Sequence, residues 1–263
     1  MTPEKLADAG LRLAQDGPVV TITLDRPEVR NAQTPAMWRA LAEVGAGLGD
    51  EVRVVVLRGA GQSFSAGLDR SMLDPSGGAG GAETVASLLA LSDEEMSETI
   101  DAYQRGFTFL RDPRFVSVAA VQGYAIGAGL QLALSCDLRI ATTDAQLCMK
   151  EAALGLVPDL TGTKPLVEAV GYARALEICA TARMVGADEA VAIGLVQAAV
   201  PAGRLDEAVA ELVTALTAPM PGAVRETKAL LQGAADRNLD EQRRLEREAQ
   251  TRRFREVAAL ARQ

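Results

Sequence analysis

The chain has 263 residues, of which 48% are hydrophobic and only 3% aromatic, and its net charge is −8. That length supports one large domain whose core is built from Ala, Val, Leu and Ile. The negative balance excludes the clustered Lys and Arg needed for sequence-independent DNA or RNA binding. The absence of any histidine excludes Ser-His-Asp, Cys-His and histidine-ligated metal chemistry.

The opening MTPEKLADAG is charged and lacks the apolar run of a signal peptide. No segment approaches the ~20 apolar residues that cross a bilayer, so a cytoplasmic protein is the expectation. VVTITL (19–24) alternates and is β-branched, which predicts a strand ending at the turn DRPE. From Thr34, an N-cap threonine, a proline at the first helical position and apolar residues at helical spacing predict a helix. VRVVVLRG (52–59) reads as a strand buried on both faces. GQSFSAGLD follows as a loop, and the Gly- and Ser-rich stretch 74–83 reads as mobile. Residues 98–112 form an amphipathic helix, 115–123 a buried strand, 128–135 a helix and 137–142 a strand. Helices are expected over 161–182 and near 187–193, then a last strand at 195–200. Beyond Gly203 the chain reads as helical, with the charge-dense 241–256 presenting a solvated face. Strands alternating with helices make the class α/β. Cys136, Cys148 and Cys179 form no CxxC pair and sit in apolar surroundings, which predicts buried free thiols in a reducing compartment.

FSAGLD (64–69) and GYAIGAGL (123–130) share one layout: a buried strand, then small residues where a helix would begin. The first N–H groups of a helix lack internal partners and carry partial positive charge. Small side chains let a ligand approach such backbone closely. Two such N–H groups facing one oxygen would form an oxyanion hole. Either turn by itself fits tight packing equally well.

Five segments together resemble the crotonase superfamily, the enoyl-CoA hydratase/isomerase family: LDRPEVRNA (24–32), FSAGLD (64–69), AAVQGYAIGAGLQLALSCDLRIA (119–141), KEAALGLVPD (150–159) and TGTKPLVEAVG (161–171). The resemblance implies a crotonase-like fold of repeated ββα units, with residues 1–200 as core and 201–263 as a C-terminal helical trimerisation region. It implies a homotrimer or hexamer acting on an acyl-CoA thioester, without nucleic acid, membrane or metal. No separate cofactor is expected, since coenzyme A is part of the substrate. Carried over residue by residue, the oxyanion donors are the N–H groups of Ala66 and Ala128. The substrate-binding positions are Ala66, Gly67, Leu68, Asp69 and Gly127, with Arg26 and Arg30 as partners for CoA phosphates.

The resemblance also sets the expected catalytic positions, Glu151, Asp159 and Gln131. Hydratases of the family use two glutamates on one water; the second falls on Glu151, but the first position is Gln131 here. A glutamine orients water but accepts no proton at accessible pH, and losing a general base forfeits ~10²–10⁴ in rate. The Glu151 to Asp159 spacing resembles the dienoyl-CoA isomerases, in which such a pair moves a proton along the acyl chain. A shifted double bond is therefore the expected reaction. Weakened hydration and acyl-CoA binding without catalysis are the alternatives. Two further departures from the family are Lys150, where many relatives carry proline, and a C-terminus without the usual Phe…Lys pairing.

Overall fold

The computed structural model describes residues 2–73 and 83–262. A short helix α1 (Pro3–Asp8) leads into strands β1 (Leu11–Asp16) and β2 (Val19–Leu24), an antiparallel pair turning at Gly17 and Pro18. Helix α2 (Pro35–Gly47) starts as its sequence predicts: the Thr34 hydroxyl accepts the Met37 N–H, and Pro35 occupies a position whose N–H has no helical partner. It crosses to β3 (Val54–Gly59), which pairs parallel with β2. After α3 (Val85–Leu88) and α4 (Asp93–Thr108) come β4 (Val116–Val121), β5 (Tyr124–Ile126) and α5 (Ala128–Ser135). Next are β6 (Leu138–Thr142), β7 (Gln146–Cys148), α6 (Thr163–Val170), α7 (Tyr172–Thr181), β8 (Val185–Gly186), α8 (Ala187–Ala192) and β9 (Ala198–Val200). The C-terminal region is α9 (Leu205–Thr217), α10 (Pro221–Gln232) and α11 (Leu239–Leu260).

The strands build two sheets. One has six strands in the order β1-β2-β3-β4-β6-β9, all parallel after the first hairpin, and the other has three, β5-β7-β8. The sequences β4-β5-α5 and β6-β7-α6 are ββα repeats, each sending one strand to each sheet. Residues 64–66 act as a further second-sheet segment beside β5: Ser65 bridges Ala125 in parallel, and Phe64 N–H donates to Gln122 O. The central strands of the large sheet are buried on both faces because they alternate between two cores. Val54, Val56, Val118, Ala120 and Ile140 meet Leu205 and Val209 of α9. Val55, Leu57, Ala119 and Val121 belong to the main core with α2, α4 and α5.

The expected helix 161–182 is two helices. Gly171, at φ 77°, ends α6 and begins α7, a backbone state that only glycine enters freely. The strand foreseen over 195–200 contracts to Ala198–Val200, and the helix foreseen over 98–112 starts earlier, at Asp93, capped by Ser92 and Glu95. Of the Gly- and Ser-rich stretch 74–83, only Glu83 lies within the described residues; its two carboxylate oxygens meet the Arg39 guanidinium. All three cysteines are free; Cys136 and Cys148 are buried and Cys179 is half-buried. Burial pushes the Cys136 thiol up to about 12. Among the described residues no helix is long and apolar enough to cross a membrane.

Helices α10 and α11 are tied to the core through Lys228. Its ammonium is buried and donates to Asp112 O, Phe115 O and Asp137 Oδ2, each at 2.7 Å. Charge pairing and three hydrogen bonds offset the cost of removing an ammonium from water.

Candidate active site

The two glycine-rich segments lie side by side, backbone against backbone. Ser65 N–H donates to Tyr124 O, and Ile126 N–H donates back to Ser65 O. That closeness requires glycine at two positions. A Cβ on Gly67 would stand 2.3 Å from Ile126 O, and one on Gly129 would stand 2.6 Å from Ser65 O. Gly67 and Gly127 also have φ of 86° and 51°. The glycines thus serve first to bring the segments together; the approach of a ligand is secondary.

The N–H expected of Ala66 as first oxyanion donor is committed elsewhere: it donates to Arg30 O at 2.8 Å. The open group is two residues on. Gly67 O accepts from Gln33 N–H at 2.7 Å. In a trans peptide the C=O and the following N–H point in opposite directions, so Leu68 N–H faces away from Gln33. Among the described residues it donates no hydrogen bond. Ala128 N–H is the first of α5, where Gly127 offers no side chain as a cap, and it too is unpartnered among the described residues. The two N–H groups left open here are therefore those of Leu68 and Ala128. Composition could not distinguish Leu68 from Ala66, because the choice depends on which carbonyl Gln33 engages.

Glu151 opens a short 3-10 helix (Glu151–Leu154) and is 8% exposed. A Cβ on Gly127 would stand 3.3 Å from Glu151 Oε1, so the carboxylate lies at the entrance of α5. Gln131, 1% exposed on α5, donates from Nε2 to Glu151 Oε1 at 2.6 Å. The orientation of that amide is imposed from the other side. Its Oε1 accepts the backbone N–H groups of Leu160 (2.9 Å) and Gly162 (3.2 Å), so only the nitrogen can face Glu151. Glu151 Oε2 is buried without a hydrogen-bond partner among the described residues. Burial raises the Glu151 carboxyl above its ordinary value, against the Gln131 hydrogen bond, and the nearby Asp159 charge raises it further.

Asp159 sits in the segment that Gln131 holds, one residue before Leu160, and Gln104 Nε2 of α4 donates to its main-chain O at 2.7 Å. Its side chain is reached by solvent, yet surrounding protein atoms displace enough water to raise its carboxyl as well. It does not cap the following helix; the N-cap of α6 is Gly162. Gln131 thus connects the two carboxylate-bearing segments, one through each end of its amide.

Arg26 is tied to the loop through one nitrogen, Nη1. Its guanidinium pairs with Asp69 Oδ2 at 2.8 Å and donates to Ala32 O. Burial would raise the Asp69 carboxyl, but hydrogen bonds from Ser71 and the Arg26 charge hold it below its ordinary value. The Arg26–Asp69 pair therefore fixes the end of the 64–69 loop. Arg30 is exposed, with its guanidinium 5.9 Å from the centre of the Tyr124 ring and no ion pair among the described residues.

The enoyl-CoA hydratase/isomerase family profile matches residues 14–259. The Clostridium acetobutylicum short-chain-enoyl-CoA hydratase is 30% identical over 240 residues, 90% of this chain and 86% of that protein. The rat mitochondrial Delta(3,5)-Delta(2,4)-dienoyl-CoA isomerase is 32% identical over 232 residues, 85% of this chain and 68% of that one. Among solved structures, a Thermobifida fusca protein assigned as an enoyl-CoA hydratase, in complex with acetoacetyl-CoA, superposes with a TM-score of 0.93. It is 51% identical, and the match covers 97% of this chain and 98% of the other.

Proposed function

The chain belongs to the enoyl-CoA hydratase/isomerase family of the crotonase superfamily, and from that premise we propose that it shifts a double bond along an unsaturated acyl-CoA thioester. The observation that carries this reading is the commitment of Gln131. Both lone pairs of its carbonyl oxygen are taken by backbone N–H groups, and one of its two amide hydrogens is held by Glu151. It has no acceptor to offer a water molecule, so hydration would have to run on Glu151 alone.

Isomerisation needs no water. Leu68 and Ala128 N–H groups receive the thioester oxygen and stabilise the enolate as charge moves onto it. The Glu151 carboxylate, its Oε2 unpartnered, takes a proton from the acyl chain. Asp159, with a raised carboxyl, returns one at a more distant carbon. Each turnover leaves Glu151 protonated and Asp159 ionised, and the pair resets when the Glu151 proton passes to Asp159, directly or by way of the solvent that Asp159 contacts. Arg30 beside Tyr124 supplies a cation for a CoA phosphate, and the exposed Phe254, Val257 and Leu260 of α11 support assembly as a homotrimer or hexamer.

The test is direct. Purified protein given 3-enoyl-CoA and 3,5-dienoyl-CoA in deuterated water is expected to form the conjugated isomers with deuterium on carbon, and Glu151→Gln and Asp159→Asn abolish turnover. Crotonyl-CoA hydration outpacing every double-bond shift overturns the assignment in favour of a hydratase. Tight binding of acetoacetyl-CoA with no change in any thioester overturns it in favour of a binding protein.

A further inference from the structure

Gln33, at the entry to α2, grips the 64–69 loop with main chain and side chain together. Its N–H donates to Gly67 O at 2.7 Å and its C=O accepts Asp69 N–H at 2.8 Å, so the backbone is held on both sides of Leu68. Its side chain is fixed at both ends of the amide. Trp38 Nε1 donates to Gln33 Oε1 at 2.8 Å, and Gln33 Nε2 donates to Ser65 Oγ at 3.1 Å. Ser65 Oγ in turn donates to Asn31 O (2.7 Å) and accepts Gly67 N–H (3.2 Å). Gln33 and Ser65 are 0% exposed and Trp38 3%. The indole is itself lodged between aromatic neighbours, 5.1 Å from Tyr103 and 6.2 Å from Phe107 by ring centroids.

An apolar residue at 33 would serve the core and keep the main-chain bridge. A buried amide there is costly unless its bonds are made, and these bonds hold Gly67 from both sides: the side chain reaches its N–H through Ser65 Oγ, and the main chain takes its C=O, across the peptide from Leu68 N–H. We propose that Gln33 is a positioning residue that aims the Leu68 N–H at the thioester oxygen, with Trp38 and Ser65 holding Gln33 in register. This rests on the reading of Leu68 and Ala128 as the donor pair. The direction of Leu68 N–H is set by the partner of Gly67 O across the same peptide. A displacement of Gln33 therefore rotates the donor without removing it. Donors at an oxyanion site act by alignment fixed in advance, so the consequence falls on carbonyl polarisation and turnover more than on binding.

The probe is acetoacetyl-CoA carrying ¹³C at its thioester carbonyl, observed by difference infrared spectroscopy, with affinity from calorimetry. In the unmodified protein the bound carbonyl is expected at lower frequency than in water. Gln33→Met retains length and volume but loses both side-chain bonds. It is expected to lose at least half of that displacement while Kd changes by less than about threefold, and to slow the double-bond shift about tenfold in kcat. Trp38→Phe, which keeps the ring packing and removes the indole donor, is expected to move the band part of the way in the same direction. A displacement that survives in both variants overturns the positioning role alone, even if their Tm falls. Should Gln33→Met fail to fold, an unmoved band in Trp38→Phe overturns it equally. No displacement in the unmodified protein overturns the donor-pair reading and the positioning role with it.

Discussion

Replacing Gln131 by glutamate changes one nitrogen to oxygen at a site where geometry leaves little room for ambiguity. Leu160 and Gly162 N–H groups retain one oxygen of the new carboxylate, so the other takes the place of Nε2, 2.6 Å from Glu151 Oε1. Two ionised oxygens at that distance repel by about 6 kcal/mol at an effective dielectric of about 20. Protonating one carboxyl of ordinary pKa, about 4.3, costs about 3.7 kcal/mol at pH 7 and about 1 kcal/mol at pH 5. The pair therefore holds a proton, and 2.6 Å suits an O–H···O⁻ bond. A folded state that binds a proton the unfolded chain releases loses stability as pH rises above about 4.3. Gln131→Glu is expected to lower Tm by about 7–15 °C at pH 7 and by about 2–4 °C at pH 5, at 2–4 °C per kcal/mol. Differential scanning calorimetry at the two pH values measures it. An equal deficit at both would show that the two side chains do not share a proton, and the geometry argued for Gln131 would be wrong.

Glu151→Gln removes a carboxyl whose folded-state pKa is raised, chiefly by burial. The stability that such a group contributes is complete below its unfolded value and is lost as pH climbs through the folded one. The variant is thus expected to melt above the unmodified protein at pH 8, with the gap closing toward about pH 4, in thermal melts across that range. Lys228→Met leaves Asp137 without its ammonium and two buried carbonyls without a donor. A loss of about 3 kcal/mol is expected, and hydrogen exchange should show α10 and α11 loosened first. Gly67→Ala places a methyl 2.3 Å from Ile126 O at φ 86°. It is expected to cost about 2–4 kcal/mol and to abolish acetoacetyl-CoA binding, checked by denaturant melts and calorimetry.

Elements with a strong period or a clear start were legible in the sequence. β2 and β3 showed their β-branched runs, and α2 showed Thr34 and Pro35. β1 was not, because only Leu11 of its six residues is buried and no alternation marks it. β5, β7 and β8 span two or three residues, too few for any period, and exist because the neighbouring chain pairs with them. The split between α6 and α7 is marked in the sequence by Gly171, and helical spacing on both sides of it masks the break. At the site, the motif brought Glu151, Asp159 and Gln131 into one neighbourhood, and the structure joins their segments through one amide. Which end of that amide faces Glu151 depends on backbone N–H groups at 160 and 162, which no residue letter reveals. Arg26 illustrates the converse: its charge suggested a phosphate, and the ion pair it makes with Asp69 is one that no residue letter reveals.

The two groups proposed to receive the thioester oxygen are main-chain N–H groups, on segments brought together by glycine contacts, one of them gripped by Gln33. Every residue type except proline supplies the same hydrogen at positions 68 and 128. On that reading the groups that carry negative charge tolerate every side chain but proline at those positions, while the groups that move protons are the side chains at 151 and 159, with Gln131 bonded to one and to the segment of the other. A change at 131 alters the surroundings of Glu151 without touching either open N–H group, so on this reading the proton-moving side of the site can vary while the cradle for the thioester oxygen stays as it is.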